Sequence, residues 1–268
     1  GLAMAENLMG NLFHQVGVYY RASEHYHKAL EINTRIDHEK QFCETVNMLA
    51  ALYRELGDFK WSQALLEKSF ARNTDKFAPR HIQTCLEGSL LGLYMGNPYL
   101  ALSLGEEALT LSSKLPAYKA AAHKNIGHAM FGLDRMEDSR EHFNASASLY
   151  EQLGQPHLGT EPLAGLAAIA LSNQNHDKAI TFVERIFDII GSKPLKGPDR
   201  LMWIYLTCYH VLSKVQDPHA AEIIEEAHQI LDQRANSITD EPLRAFFLEQ
   251  IPEHKHISEI WETHIKNH

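Results

Sequence analysis

Three columns of small side chains recur along this chain every 38 to 41 residues, and no other feature constrains the fold as tightly. With columns 12 and then 7 residues apart, the triplets are Gly10/Ala22/Ala29, Ala50/Ser62/Ser69, Ser89/Ala101/Ala108, Gly127/Ser139/Ser146, Ala167/Ala179/Ile186 and Cys208/Ala220/Ala227. Seventeen of these eighteen positions hold Gly, Ala, Ser or Cys, types that make up 61 of the 268 residues. Chance would put about four there, so the chain is a true repeat array. Two helices of a hairpin, and the next hairpin stacked on it, approach closely only where side chains are small. Larger residues then fill the holes around the contact. Here the fillers are Phe13, Tyr26 and Leu30 in the first unit, Tyr53, Leu66 and Phe70 in the second, and Met130, Phe143 and Leu149 in the fourth.

The units read as helices. Leu (33) and Ala (28) dominate while Val occurs six times, and there is no sustained alternation from which to build a sheet. The prolines agree. Pro98 follows Asn97 and Pro218 follows Asp217, each an N-cap followed by a first-turn proline, and Pro162 and Pro242 fit a first turn. The other six lie between apolar-periodic segments. The turn inside each hairpin needs a left-handed residue. Gly17, Gly57 and Gly96 supply it, and Asp134, Gln174 and Val215 stand at the equivalent places later.

The run Met9-Gly10-Asn11-Leu12-Phe13, Val16-Gly17, Ala22, Tyr26 and Ala29-Leu30 resembles a tetratricopeptide repeat (TPR), as does Leu49-Ala50, Tyr53 and Leu56-Gly57-Asp58-Phe59. The period is about 40 instead of 34 and the early Trp is absent from most units. HEAT-type repeats share the longer period but not the three small columns with a glycine turn. The resemblance implies an all-α protein, a right-handed α-α superhelix of about six TPR-like helical hairpins over residues 1–235. Residues 236–268 would then form a C-terminal capping helix pair, with Thr239-Asp240-Glu241-Pro242 opening the first helix. The stretch Asp240, Arg244, Phe247-Leu248, Pro252 and His256-Ile257 also resembles the ends of helical-repeat regions in bacterial maltose-activator-type (STAND) signalling ATPases. So do Leu149-Tyr150-Glu151-Gln152-Leu153-Gly154 and Leu163-Ala164-Gly165-Leu166-Ala167. In such regulators the repeats sense a signal and restrain the ATPase.

Composition narrows the function. The formal charge of −9 opposes a nucleic-acid grip, which needs clustered Lys and Arg. Cys43, Cys85 and Cys208 are widely spaced with no CxxC, so neither a disulfide framework nor a thiolate zinc site is indicated, and a cytoplasmic setting is expected. The longest apolar stretch, Leu163 to Leu171, falls well short of the roughly 20 residues that span a bilayer. The chain starts at Gly1, as expected for a piece of a longer protein. No GxSxG, HExxH or phosphate loop occurs. Gly191 to Pro198 has a phosphate-loop flavour but lacks the GK[ST] ending and reads as a linker. No cofactor and no metal are expected, and the chain is not expected to be an enzyme. His264 and His268 could share one helix face. Full protonation of the 17 histidines would carry the formal charge from −9 to +8, so the surface is expected to respond to pH near 6.

In TPR proteins the first helix of each hairpin lines the concave face, so the resemblance implies a ligand or partner groove. Position by position it consists of Asn7, Asn11 and His14, then Asn47 and Arg54, then Lys124, His128 and Phe131, and finally Tyr205 and Tyr209. Asparagines can bond an extended peptide backbone at both ends of the amide, and aromatics supply rigid contact area. Leu86, Leu90 and Leu93, with Ala164, Ala168 and Leu171, would form an apolar floor suited to an amphipathic helix or hydrophobic peptide. Of the five residues of a chaperone-tail carboxylate clamp only Asn11 is present; Asn7, Met48, Gln83 and Glu87 hold the other places. The expected partner is a protein or peptide, another domain of the same parent chain included, with the module acting as the sensor or interaction region of a larger signalling or transcriptional regulator. The alternative is a receptor domain for a small molecule or signalling peptide.

Overall fold

The computed structural model describes residues 1–73, 75, 78–191 and 197–266, with side chains as far as Thr263. It is an all-α helical-repeat solenoid, with fourteen helices and no strand among the described residues. Six hairpins follow in order: α1 (Leu2–Gln15) with α2 (Tyr19–Arg35), α3 (Glu39–Glu55) with α4 (Phe59–Arg72), α5 (Pro79–Tyr94) with α6 (Pro98–Leu111), α7 (Pro116–Gly132) with α8 (Met136–Gln152), α9 (Thr160–Ser172) with α10 (His176–Ile190), and α11 (Leu201–Lys214) with α12 (His219–Ser237). A shorter pair, α13 (Glu241–Glu249) and α14 (Pro252–Lys266), ends the chain.

Local chemistry sets these boundaries. Asp58, Asn97, Asn175 and Asp240 each accept a bond from the backbone N–H three residues on, satisfying a donor the helix itself leaves orphaned. Prolines open α5, α6, α7 and α14, where the missing N–H costs nothing. Inside the hairpins the left-handed residues are Gly17, Gly57, Gly96, Asp134, Gln174 and Gln216. The last lies one residue beyond the expected Val215, whose φ of −98 is right-handed. That unit keeps an extra α-helical residue before turning.

All eighteen small-column positions are buried. The serines show why a hydroxyl is tolerated there: Ser69 bonds the Thr84 hydroxyl, and the other four donate to backbone carbonyls that the close approach brings within reach. Ser62 bonds the carbonyl of Ala50 at 2.8 Å, Ser89 that of Ala101 at 2.7 Å, and Ser139 that of Gly127 at 2.7 Å. These bonds tie the first column to the second within one hairpin. Phe143 is clasped on both sides by glycine: a Cβ at Gly127 would meet its ring at 2.7 Å, and one at Gly165 at 2.3 Å.

Odd-numbered helices pack on one another in succession, from α1 on α3 to α9 on α11, while even-numbered helices pack chiefly against odd ones. The odd helices therefore line the inner, concave side. The C-terminal pair does more than cover the last hairpin. α14 packs on α11 and α12, and the end of α12 together with α13 reaches back to the start of the chain. Ser237 donates to the carbonyl of Gly17 at 2.9 Å, the rings of Tyr19 and Phe247 lie 6.3 Å apart, and α13 runs over the Gly57 turn. The end of the solenoid thus closes on its first two hairpins.

Candidate functional site

The concave interior holds a network of buried charges, built by residues from α3, α5, α7, α9, the segment before α11, and α14. Its hub is Glu161, fully buried in the first turn of α9. One carboxylate oxygen accepts from the Lys124 ammonium at 3.4 Å and from the backbone N–H groups of Asp199 and Arg200 at 3.1 and 3.3 Å. The other lies 2.9 Å from Nε2 of His128. Burial alone would raise the Glu161 pKa, but Lys124, the His128 bond and Arg200 together hold it well below the usual carboxylate range. Nη1 of Arg200 donates to Nδ1 of His128 at 3.3 Å, which assigns the proton to Nε2 and makes the ring neutral. Burial, only partly opposed by the Glu161 bond, pushes His128 down to about 4. Phe143 and Trp203 pack edge-on against its ring.

Around this hub Lys124 also pairs with Asp199, and Arg200 with Glu253. The Tyr94 hydroxyl donates to the Asp199 carbonyl at 2.8 Å, and the guanidinium groups of Arg54 and Arg200 lie 5.1 and 5.7 Å from its ring centre. Arg54 reaches Glu87 at 3.3 Å. The pair is asymmetric. Despite burial, Glu87 and its neighbours raise Arg54's pKa and keep it a cation, whereas burial, with Asp199 adding like charge, leaves Glu87 with a raised pKa. At the far end His14 pairs with Glu55 at 3.1 Å. Burial would lower the histidine, but Glu55 raises it overall, and the carboxyl is brought down to about 2.

Some donors and acceptors here stay unsatisfied. Nε and Nη1 of Arg54, Nε of Arg200 and Oε2 of Glu253 are buried without a hydrogen-bond partner among the described residues. Such groups are costly and call for an explanation.

Of the residues expected to line the groove, the structure brings Lys124 and His128 into direct contact with one hub and joins Arg54 to it through Tyr94, while His14 pairs with Glu55 at the far end. Asn7 is buried and donates to Thr45 of α3 at 2.8 Å; Asn47 is buried and donates to Thr84 of α5 at 3.0 Å. These amides bond the next hairpin. Asn11 accepts from the Tyr26 hydroxyl at 2.6 Å. Phe131 packs half-buried against the core. Tyr205 donates to Glu226 at 2.8 Å, and Tyr209 stands beside His210. The apolar floor is largely spent on the core, since Leu86, Leu90 and Ala164 are buried. Sequence reasoning missed Glu55, Tyr94, Glu161, Asp199, Arg200, Trp203 and Glu253. Glu161 and Glu253 look like ordinary first-turn acids beside a proline, and Asp199 and Arg200 like the end of a linker. Only Glu87, a carboxylate at a groove position, carried a signal.

The expected pH response needs revision. Burial lowers the pKa of His27, His123, His128, His142, His210, His228 and His254. These rings resist protonation near pH 6, so the charge reversal moves to lower pH. His81 and Cys85 of α5 with Glu107 of α6 place ligand atoms within 4.8 Å of one another and could hold a divalent ion through N, S and O. None of the three bonds the interior network. The Gly191–Pro198 linker and the His264/His268 pair lie at least partly outside the described residues. No helix among the described residues is long and apolar enough to cross a membrane.

No family model matches this chain, and no curated protein matches it. Solved structures do. It is similar to a Rap protein complexed with competence and sporulation factor (TM-score 0.66, 15% identity, 95% of this chain and 74% of that one). The apo form of RapI aligns at TM-score 0.67 and 13% identity over 97% of this chain and 99% of that one. A putative kinesin light chain of Podosopora anserina with nearly identical TPR-like repeats aligns at TM-score 0.51 and 15% identity, over 71% and 95%. The fold is that of TPR-like helical-repeat proteins.

Proposed function

We propose that this chain is a non-enzymatic protein- or peptide-binding module, the sensor or interaction region of a larger signalling or transcriptional regulator of the kind its C-terminal motifs resemble. The observation that carries the reading is the concave interior, where buried cations of Arg54 and Arg200 keep unpartnered N–H groups beside the aromatic face of Tyr94. A carboxylate or backbone carbonyl of an extended peptide would satisfy those donors in a site shielded from water, where such bonds are strong. The Rap protein complexed with competence and sporulation factor, among the structures similar to this one, supports the receptor version of the same reading. Entry requires α13 to yield, because it lies over the Gly57 turn and packs Phe247 on Tyr19 of the first hairpin.

The test is fluorescence anisotropy or calorimetry with a randomised pool of short peptides carrying free C-termini. Binding is expected to weaken about tenfold or more on Arg54→Lys, which keeps the charge and loses the guanidinium fork. A folded chain that captures nothing from the pool, or captures peptides equally well after Arg54→Lys, would sink the proposal.

A further inference from the structure

The third hairpin carries three ligand-type side chains that take no part in the interior network. His81 and Cys85 stand four residues apart on α5 and so share one face of that helix, and Glu107 meets them from α6. Their ligand atoms, a nitrogen, a sulfur and an oxygen, lie within 4.8 Å of one another. Tetrahedral zinc with bonds of about 2.0–2.3 Å sets its ligand atoms roughly 3.3–3.8 Å apart. Nε2 of His81 is already 3.2 Å from Oε1 of Glu107, so small side-chain rotations close the set. The repeat register shows that stacking does not ask for this trio. Its three places hold Leu2, Glu6 and Lys28 in the first unit and Phe42, Val46 and Lys68 in the second, and none of the five other units carries more than one potential ligand there. The histidine itself gives a second, independent sign. It is 4% exposed, and its Nδ1 is buried with no hydrogen-bond partner among the described residues. Imidazole binds metal through either nitrogen, and a bound ion is one of the few things that account for such a deficit.

We propose that His81, Cys85 and Glu107 form a binding site for a divalent zinc-class ion, which staples α5 to α6. The donor set selects the ion. A thiolate and an imidazole suit zinc and its neighbours, whereas magnesium and calcium take oxygen ligands, which among these three side chains only Glu107 supplies. The charges balance as well. A thiolate, a carboxylate and a neutral imidazole around a divalent ion sum to zero, which a largely buried site tolerates. Binding expels the Cys85 thiol proton to solvent. The Glu107 side chain is 43% exposed, so the ion enters past it and water completes four-coordination. Phe70 lies edge-on to the His81 ring, centres 5.7 Å apart, and shields it. The site is independent of any ligand in the concave interior.

Titration of the 268-residue chain with cobalt(II), under a phosphine reductant and free of chelators, tests this. The expected spectrum has a thiolate-to-cobalt charge-transfer band in the near ultraviolet and the strong visible bands of four-coordinate cobalt. Excess zinc is expected to erase both, and excess magnesium to leave them. Cobalt held by surface histidines gives no sulfur band, so the signal reports a cysteine ligand. Cys85→Ser is expected to abolish that band. Glu107→Gln, at a half-exposed position and checked for unchanged helical circular dichroism, keeps the shape and is expected to weaken cobalt binding about tenfold or more. A wild-type chain that shows no sulfur band overturns the proposal. So does a band that survives Cys85→Ser, or a cobalt affinity untouched by Glu107→Gln.

Discussion

The backbone carbonyl of Phe246 lies directly over Gly57: a Cβ on that residue would stand 2.5 Å from the carbonyl oxygen. Gly57 is also left-handed, at φ +80. One glycine thus serves both the turn between α3 and α4 and the docking of α13 upon it.

Gly57→Ala is expected to loosen the C-terminal pair. The left-handed backbone alone costs an alanine about 1–2 kcal/mol, and the clash with Phe246 adds to that. Gly96→Ala is the control, left-handed at φ +66 with nothing within 4 Å of its Cβ position. Hydrogen exchange should show faster exchange in α13 and α14 for the Gly57 variant only. Equal effects from both changes would mean that the contact with Phe246 contributes nothing.

Glu161→Ala removes the shared partner of Lys124 and His128 from a fully buried site. Breaking a buried ion pair from one side costs about 3–5 kcal/mol, because the remaining cation is left uncompensated. Urea unfolding should show the loss at pH 7. A change below about 1 kcal/mol would indicate that water enters the interior and screens Lys124.

Acidification should destabilise the fold between pH 6.5 and 4. Burial lowers His128 and His254 to about 4, so in that window the unfolded chain binds more protons than the folded one and stability falls with pH. Glu55, brought down to about 2, extends the loss below pH 4.5. His14 has the opposite sign: its pairing contributes below pH 6.5 and fades as pH rises through its raised folded value. Two fully buried rings should outweigh this half-buried one. A urea midpoint that rises from pH 7 to pH 5 would reverse that weighting.

Thr45 joins three helices: its hydroxyl accepts from Asn7 at 2.8 Å and from Asn33 at 3.0 Å, and donates to the Gln41 carbonyl at 2.8 Å. Thr45→Val keeps the shape and strands two buried amides, at a cost of about 1–3 kcal/mol. Thermal unfolding of the variant measures it. An unchanged melting temperature would show that the amides find other partners.

Much of the fold was legible in the chain because its determinants are local and repeated. The eighteen small positions, the capping residues Asp58, Asn97 and Asn175, and the left-handed Gly17, Gly57 and Gly96 each act within one hairpin or between neighbours. Six repetitions make such a signal visible without knowledge of distant contacts. The interior network was legible only in part. Lys124 and His128 follow from the hairpin register, but their partners Glu161, Asp199 and Arg200 lie 33 to 75 residues away in sequence.

By itself, then, the sequence determined that this protein is a stack of helical hairpins, where five of the six turn, and which positions must be small, because steric exclusion and capping operate over a few residues. The tertiary structure alone decided that Arg54, Lys124 and His128 pair with internal carboxylates, and that the last two helices return to the first two turns. Those outcomes depend on how small rotations between hairpins accumulate along the solenoid, a property of the assembled stack that no single repeat contains.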